Sequence, residues 1–414
     1  VSRAIIMRPV TSAGNVRRSL LAALAVVAVV LPFYADEFWL RTGFAVFAAV
    51  IGAVGLNLLC GTTGQLSLGH AFFLAVGAIS YSLLAGESTG KGSERVIGLG
   101  LHPMLAMIAA VGIAGLAGLL FSPVAARVRG LYLAVASLGL VVAGQHILNT
   151  ATPLTGGFNG RPVEDFALPG FAFSDSDPDL VLLGVPFGQA ERLWYLGLLL
   201  AILAMVFAGN IIRGRSGVAL EAVRDNQLAA AVNGVDVAAY RSRAFLLSSM
   251  YAGLSGVLYA LSVGSVAPES FTIEISVQYL MMIVLGGLGS VGGAAAGAVL
   301  VTALPLVLQQ YSDSLPFLSA PGSGGVSYAD AARYLYGAAV VLIVLLEPSG
   351  AAGLARRAQS HLKVRAHAIP TRRLWRGGPP ADQPEPTQPD QARTNASAKA
   401  STVLATAHDS APES

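Results

Sequence analysis

Two glycine-rich interruptions and one long polar stretch hold most of the residues able to do chemistry in this sequence. The first runs Gly61-Thr62-Thr63-Gly64-Gln65-Leu66-Ser67-Leu68-Gly69-His70 and sets hydroxyls, an amide and an imidazole inside an apolar run. The second, Gly286 to Gly293, reads GGLGSVGG and breaks another apolar run far downstream. Interrupted helices paired in the two halves of a transporter mark a permeation path, because backbone groups freed from the helix can meet a polar solute. On that reading Gly64, Gln65, Ser67, His70, Gly286, Gly287 and Gly289 line the path. The competing reading is close helix packing, the role expected of Gly112, Gly115, Gly118 and the GAAAG of Gly293 to Gly297.

The polar stretch is RGRSGVALEAVRDNQLAAAVNGVDVAAYRSR, Arg213 to Arg243. Gly214 and Gly217 permit a turn, and Val218 to Val232 is rich in Ala and Leu and predicts a short helix. Glu221 and Arg224 are three apart and share a face, with Asp225 and Asn226 beside them. Gly234 and Asp236 end this helix, and a second short one leads into the next apolar segment. A charged helix held along a membrane surface can dock a partner. An ordinary solvated loop has the same composition, and these residues alone do not separate the two.

Other chemistry is thinly represented. Cys60 is the sole cysteine, so no internal disulfide and no zinc or iron–sulfur framework is expected; it reads as a small packing residue. His70 and His146 are the ionisable residues nearest to mid-span, and a lone intramembrane His is more often a packing residue than a proton relay. No HExxH, GxSxG or pair of catalytic carboxylates lies in the apolar segments. GESTGKGS, Gly86 to Ser93, imitates a phosphate-binding loop. That motif needs Gly where Ala85 stands and Ser or Thr where Gly92 stands. No catalytic residue, metal or cofactor is expected. If ATP drives this protein, another chain must hydrolyse it.

The elements that position these residues follow from composition. Hydrophobic residues are 54% and charged residues 12% of the 414, about half the usual soluble share. Mean hydropathy is +0.64. So few charges cannot cover a water-soluble sphere, which excludes a soluble enzyme and argues against a nucleic-acid binder. The pI near 9.0 rests on a formal charge of only +3. Gaps between charges set the spans, since crossing ~30 Å of hydrocarbon takes about 20 helical residues. Such gaps occur at Leu20–Ala35, Thr42–Gly86 (two spans around Gly61 to Gln65), Val96–Ala126, Leu131–Thr150, Leu193–Ile212, Ala244–Val263, Ile275–Ser312 (two shorter spans around Gly286 to Gly293) and Tyr334–Leu346. The fold class is therefore all-α, a polytopic membrane protein of about ten transmembrane helices with Gly-rich breaks. The first helix is read as uncleaved, because Phe33 and Tyr34 stand where a signal-peptidase site needs small residues.

An even count puts both termini on one side. Arg3, Arg8, Arg17, Arg18, Arg127, Arg129, the arginines from Arg213 to Arg243 and the basic start of the tail then share it, which makes it cytoplasmic. The acids Glu164, Asp165, Asp175, Asp177 and Asp179 share the outer loop 151–191, which is expected to form a folded cap or docking surface. The organisation is thus a cytoplasmic segment 1–18, a transmembrane domain 19–347 carrying the outer loop and the cytoplasmic stretch 213–243, and a Pro-rich tail 348–414 expected to be disordered. Lysine occurs only at Lys91, Lys363 and Lys399 against many Arg, Ala, Gly and Val, which points to a GC-rich bacterial genome and so to a bacterial cytoplasmic membrane.

Three segments together resemble one family. GLNLLCGTTGQLSLGHAFFLAVGA, RSGVALEAVRDNQLAAAVNGVDVAAYRSRAFLLSSMYAGLSGVLYA and LGGLGSVGGAAAGAVL, with APESF (Ala267 to Phe271) before the last, are similar in order and spacing to the LivM-type permeases of branched-chain amino acid ABC importers. The likeness spans roughly Ala45 to Leu308. It implies a transport subunit rather than an enzyme, paired with a second permease subunit, powered by two cytoplasmic ATPase subunits and served by an extracytoplasmic substrate-binding protein. It implies that Glu221, Arg224, Asp225, Asn226 and Gly234 lie on the ATPase-coupling segment, and that Gln65, Ser67 and His70 lie near the translocation path. The tail and the outer insertions Phe158 to Gln189 and Ser312 to Asp330 are not part of the pattern. The implied activity is inward movement of branched-chain or other hydrophobic amino acids by alternating access. Alternatives are an ABC permease for urea or short amides, an ATP-independent secondary transporter or channel, and a non-transporting scaffold. A secondary transporter would carry a coupling carboxylate within the spans, and the charge gaps contain none.

Overall fold

A lipid-solvated chain must satisfy its own backbone, so long helices are the expected solution. The computed structural model of the protein describes residues 25–88, 96–128, 130–174, 181–182, 185–311, 318–319, 326–346, 350 and 353. All belong to the first of two compact units, Val1–Arg365; the second, Ala366–Ser414, lies outside the described residues. So do the segment 1–18, Lys91, Asp175, Asp177, Asp179, Gly322 to Gly325 and nearly all of 348–414.

The long helices are α1 (Glu37–Thr63), α2 (His70–Ala85), α3 (Pro103–Arg127), α4 (Leu131–Thr150) and α5 (Gln189–Arg213). Two short helices, α6 (Arg215–Asp225) and α7 (Gln227–Val232), precede α8 (Val237–Val263), α9 (Ile273–Gly286), α10 (Val291–Gln310) and α11 (Tyr328–Leu346). Residues 25–30 are also helical. Every expected span therefore has a helix at its place. Among the described residues, 7 helices are long and apolar enough to cross a membrane by length and composition alone. Helix α2, at 16 residues, spans about 24 Å and falls short of the ~30 Å hydrocarbon core.

Burial separates centre from sheath. In α1 and α8, 78% and 72% of the apolar window is buried, against 22% in α5 and 28% in α4 and α10. Helices α1 and α8 are thus the axis, and the outer helices turn Leu, Val and Ile to lipid, as the exposure of Leu120, Leu131, Leu199 and Ile147 shows. Helix α8 packs on α1, α2 and α3, and α1 also meets α5 and α10. Glycines permit part of this closeness. Gly115 and Gly118 of α3 face Met250 and Ser249 of α8, as expected of packing positions, whereas Gly112 faces open space.

The outer loop is folded where it is described. Strand β1 (Arg161–Pro162) pairs antiparallel with Ser265–Val266, Arg161 opposite Val266, so two loops close over one end of the bundle. Strands β2 (Ala167–Leu168) and β3 (Phe171–Ala172) form a hairpin beneath which Phe166 and Phe173 stack edge-to-face at 5.1 Å. Arg161 is buried and its Nη1 donates to the carbonyls of Ile97 (3.1 Å) and Leu154 (2.7 Å), tying a third loop in. Burial pushes this guanidinium below its ordinary pKa. Arg192 does similar work at the start of α5, donating to Phe187 O (3.1 Å) and Ala172 O (2.8 Å) beneath the Phe171 ring.

Three boundaries differ from expectation. The first break is Gly64 to Gly69, not Gly61 to Gln65, because α1 runs on to Thr63. The second is Gly287 to Ser290, not the whole of Gly286 to Gly293. Glycine inside a helix costs only ~1 kcal/mol, and tight packing at Gly61 and Gly293 offsets it. The helix expected over Val218 to Val232 is split at Asn226, which leaves helical φ/ψ and caps α7 by accepting from Ala229 N at 3.0 Å. Asn favours that role over a mid-helix position. Asp236 likewise caps α8, accepting from Ala239 N, rather than ending a helix.

The start of α2 is buried, and its backbone needs partners there. Ser276 Oγ accepts from Ala71 N at 3.0 Å and Ser137 Oγ from Leu68 N at 2.8 Å, both serines fully buried. Ser276→Ala is expected to lower stability by about 1–3 kcal/mol, the cost of a buried unpaired N–H. Ser122→Ala, whose hydroxyl only donates back to Leu119 O of its own helix, should cost less. Thermal unfolding of the two variants in the same detergent checks the order.

Candidate functional site: the meeting of two glycine turns and a surface helix

Helix α1 must stop before its last four carbonyls have intrahelical partners. Gly64 stops it, at φ +69°. The hydroxyls that made this run look polar are spent locally: Thr62 Oγ1 donates to Leu58 O, and Thr63 Oγ1 to Leu59 O at 2.6 Å. The chain then crosses Gln65 to Gly69 and re-enters helix at His70. Gln65, Ser67 and His70 are each only 2% exposed. Ser67 Oγ accepts from Gly69 N at 3.3 Å. Neither amide atom of Gln65, nor Nε2 of His70, has a hydrogen-bond partner among the described residues. Buried and unpaired polar atoms are costly, so this turn keeps a polar capacity that the fold itself does not use.

His70 sits beside a second polar group that the charge-gap reading missed. Ser255 Oγ of α8 donates to Ala48 O of α1 at 2.7 Å and lies 2.9 Å from the Tyr279 hydroxyl of α9. The His70 and Tyr279 rings are 4.8 Å apart. Four helices thus converge through one Ser–Tyr–His contact in the bundle centre. Uncharged polar residues within apolar runs were the available signal, since such residues bind helices together in lipid.

The second turn comes to the first. Gly289 N donates to Oδ1 of Asn57, one helical turn before Gly61 on α1, at 2.9 Å. Asn57 is 1% exposed. The backbone of Gly289 and the Asn57 side chain fill the space a Cβ at Gly61 would need, so Gly61 is a close-approach glycine. Ser290 Oγ caps α10 by accepting from Gly293 N at 3.1 Å. Gly286 packs against the Gly293 backbone of α10, and Gly287 lies against Gly350, beyond α11. Gly286 thus has a packing role in this structure.

Helix α6 completes the site. Its Leu220 and Val223 are buried against the bundle end, so the segment is structured and not a free loop. Arg224 lays its stem over Gly64, and its Nη1 donates to Gly61 O at 2.9 Å. A guanidinium at the carbonyl end of a helix suits both the orphan acceptors and the helix dipole. Its Nε pairs with Asp225 at 3.0 Å. Glu221, three residues before Arg224, makes no ion pair among the described residues. Glu221, Asp225, Asn226 and Gly234 stay on the exposed surface. With them, Val218, Leu228 and Val232 are 66%, 77% and 81% exposed.

Of the expected site residues, then, Gly64, Arg224 and Gly289 come together around Gly61 and Asn57. Gln65, Ser67 and His70 continue inward from that point. His146 is exposed on α4 and takes no part. Cys60 is buried, as a packing residue should be. Among the described residues no group of three or more His, Cys, Asp and Glu could hold a metal ion. An apolar groove of about 750 Å³, lined by Val26, Val30, Phe47, Trp194 and Val299 among others, lies elsewhere and touches none of these residues.

The chain has relatives in sequence. The family model described as branched-chain amino acid transport system, permease component, matches residues 38–345. The chain is 31% identical over 316 residues to the high-affinity branched-chain amino acid transport system permease protein LivM of Salmonella typhimurium, covering 74% of this chain and 72% of that one. It is 30% identical over 316 residues to the LivM of Escherichia coli, with the same 74% and 72% coverage. It is 24% identical over 284 residues to the ribose import permease protein RbsC of Escherichia coli, covering 67% of this chain and 78% of that one. No solved structure matches.

Cys60 offers a native reporter of the Gly61–Gly289 contact, being the chain's sole cysteine and buried. Gly61→Ala should force the two turns apart and lower the unfolding temperature. Labelling by a membrane-permeant maleimide should be slow in the wild type and faster in the variant; equal rates would show that the contact is not close.

Proposed function

The chain belongs to the family of permease components of branched-chain amino acid transport systems, and from that premise we propose that it is one membrane subunit of an ATP-driven importer. The family match over residues 38–345 carries this reading. Two cytoplasmic ATPase subunits hydrolyse ATP, a second permease subunit completes the membrane part, and an extracytoplasmic binding protein delivers substrate to the folded cap around Arg161. The membrane is the cytoplasmic membrane of a bacterium, with the arginine-rich end and both termini inside, following the charge bias.

The mechanism is alternating access without covalent chemistry on the solute. ATP-driven closure of the ATPases pushes on helices α6 and α7 through Val218, Leu228 and Val232, with Glu221, Asp225, Asn226 and Gly234 at the rim of the contact. The turns carrying Gly64, Gln65, Ser67 and His70, and Gly287 with Gly289, border the translocation path. Their unpaired amide and imidazole atoms support this, since a solute passing there would meet donors and acceptors not already engaged. Branched-chain amino acids are the substrate class the LivM relatives' names point to. The ribose permease relative is a reminder that similar scaffolds carry different solutes, so urea and short amides are the competing class.

Cells lacking redundant importers, with and without this gene, should differ in uptake of labelled leucine. Equal leucine uptake with a difference in urea uptake would move the assignment to the second class. Replacing Leu228 and Val232 together by Glu should reduce co-purification of the ATPase by about tenfold, as expected when apolar anchors of an interface are lost. Membrane insertion should be unchanged. Undiminished co-purification would remove this face from the contact.

A further inference from the structure

We propose that Arg224 and Asn57 form a latch through which helix α6 holds both glycine turns in one register, so that displacing α6 releases the two turns together. The inference rests on the reading that a partner moves α6, and it adds the route by which that motion reaches the turns.

The bonds run in series through about one turn of α1. Arg224 Nη1 holds Gly61 O at 2.9 Å, from an element 163 residues away in sequence. Asn57 Oδ1 holds Gly289 N at 2.9 Å, from 232 residues away. Between them Gly61 lies directly against the backbone of Gly289, with no side chain as cushion. An end cap for α1 alone would need none of this. A local Ser, Asn or Gly would serve, and Gly64 already ends the helix. Asp225 holds the guanidinium by Nε, which leaves Nη1 aimed at the carbonyl.

The latch is sensitive to small movements. Helix α6 is anchored by Leu220, Val223 and Gly217. A shift of an ångström or two would lengthen the Arg224 bond past the range in which hydrogen bonds hold. Gly61 O would then lose its donor, the last turn of α1 could unwind toward Gly64, and the surface on which Gly289 rests would move. The other side of the segment is fastened separately: Arg241, at the start of α8, donates to Ala126 O near the end of α3 at 3.3 Å. Helix α6 can therefore pivot while α8 stays tied to the bundle.

Hydrogen–deuterium exchange on the full chain in lipid nanodiscs tests the latch directly. R224M keeps the stem over Gly64 and loses the donor; N57L keeps the volume and loses the acceptor. Each should speed exchange about tenfold in the segments 61–66 and 284–290 alike, the scale of effects along coupled networks. R224K, which keeps a donor, should restore wild-type rates. If R224M speeds 61–66 and leaves 284–290 at the wild-type rate, the latch is overturned. In the assembled complex, R224M and N57L should each lower labelled leucine moved per ATP hydrolysed by about tenfold, with the ATPase still co-purifying. The double variant should be no worse than either single one, and losses that multiply would overturn the proposal. A wild-type complex that moves no leucine would sink the amino-acid assignment and not the permease reading, while the exchange rates would still decide the latch.

Discussion

Backbone groups buried in an apolar layer must find partners within the protein, and this constraint organises the molecule. Unbroken helices satisfy it automatically. Two breaks do not, and the structure pairs each with side chains from distant helices. Ser137 and Ser276 serve the start of α2, and Asn57 serves the second turn. Irregular backbone at this depth is tolerable only where protein encloses it. That is why α1 and α8, which do the enclosing, are buried along most of their apolar length.

From that constraint follows the placement of charge. The interior of the bundle carries hydroxyls, amides and one buried imidazole, while guanidinium groups sit at its ends. Arg224 and Arg241 each supply a carbonyl at a helix C-terminus with a donor, and Arg161 and Arg192 bind the carbonyls of the opposite loops. A guanidinium suits these sites because its several N–H groups reach more than one carbonyl, and because a helix C-terminus carries partial negative charge. Arginine here fastens loops and helix ends, and Arg161, Arg192 and Arg241 do so while buried.

The same geometry alters the reading of the polar segment 213–243. Its charges attract attention in sequence, yet Arg224, itself still partly exposed, spends one N–H on a helix end, and Val218, Leu228 and Val232 are exposed beside it. The segment shows apolar side chains on its surface and bonds a helix end through Arg224, and the polar atoms of Gln65 and His70 are buried without partners among the described residues.

The amino-acid sequence by itself determined the spans, because the absence of charge over a membrane-length run is a property of the run alone. It also determined that Gly64 to Gly69 and Gly287 to Ser290 would interrupt them, to within a few residues, and that α6 would be helical. It did not reveal Asn57, Ser137, Ser255 or Ser276, since an uncharged polar residue in an apolar run looks alike whether it bonds its own helix, as Thr62 and Thr63 do, or a distant one. Nor could it say that Glu221 would be left aside while Arg224 reached Gly61. Those outcomes depend on which helices lie side by side, and a hydrogen bond of about 3 Å between residues well over a hundred positions apart exists only once the whole bundle has closed around it.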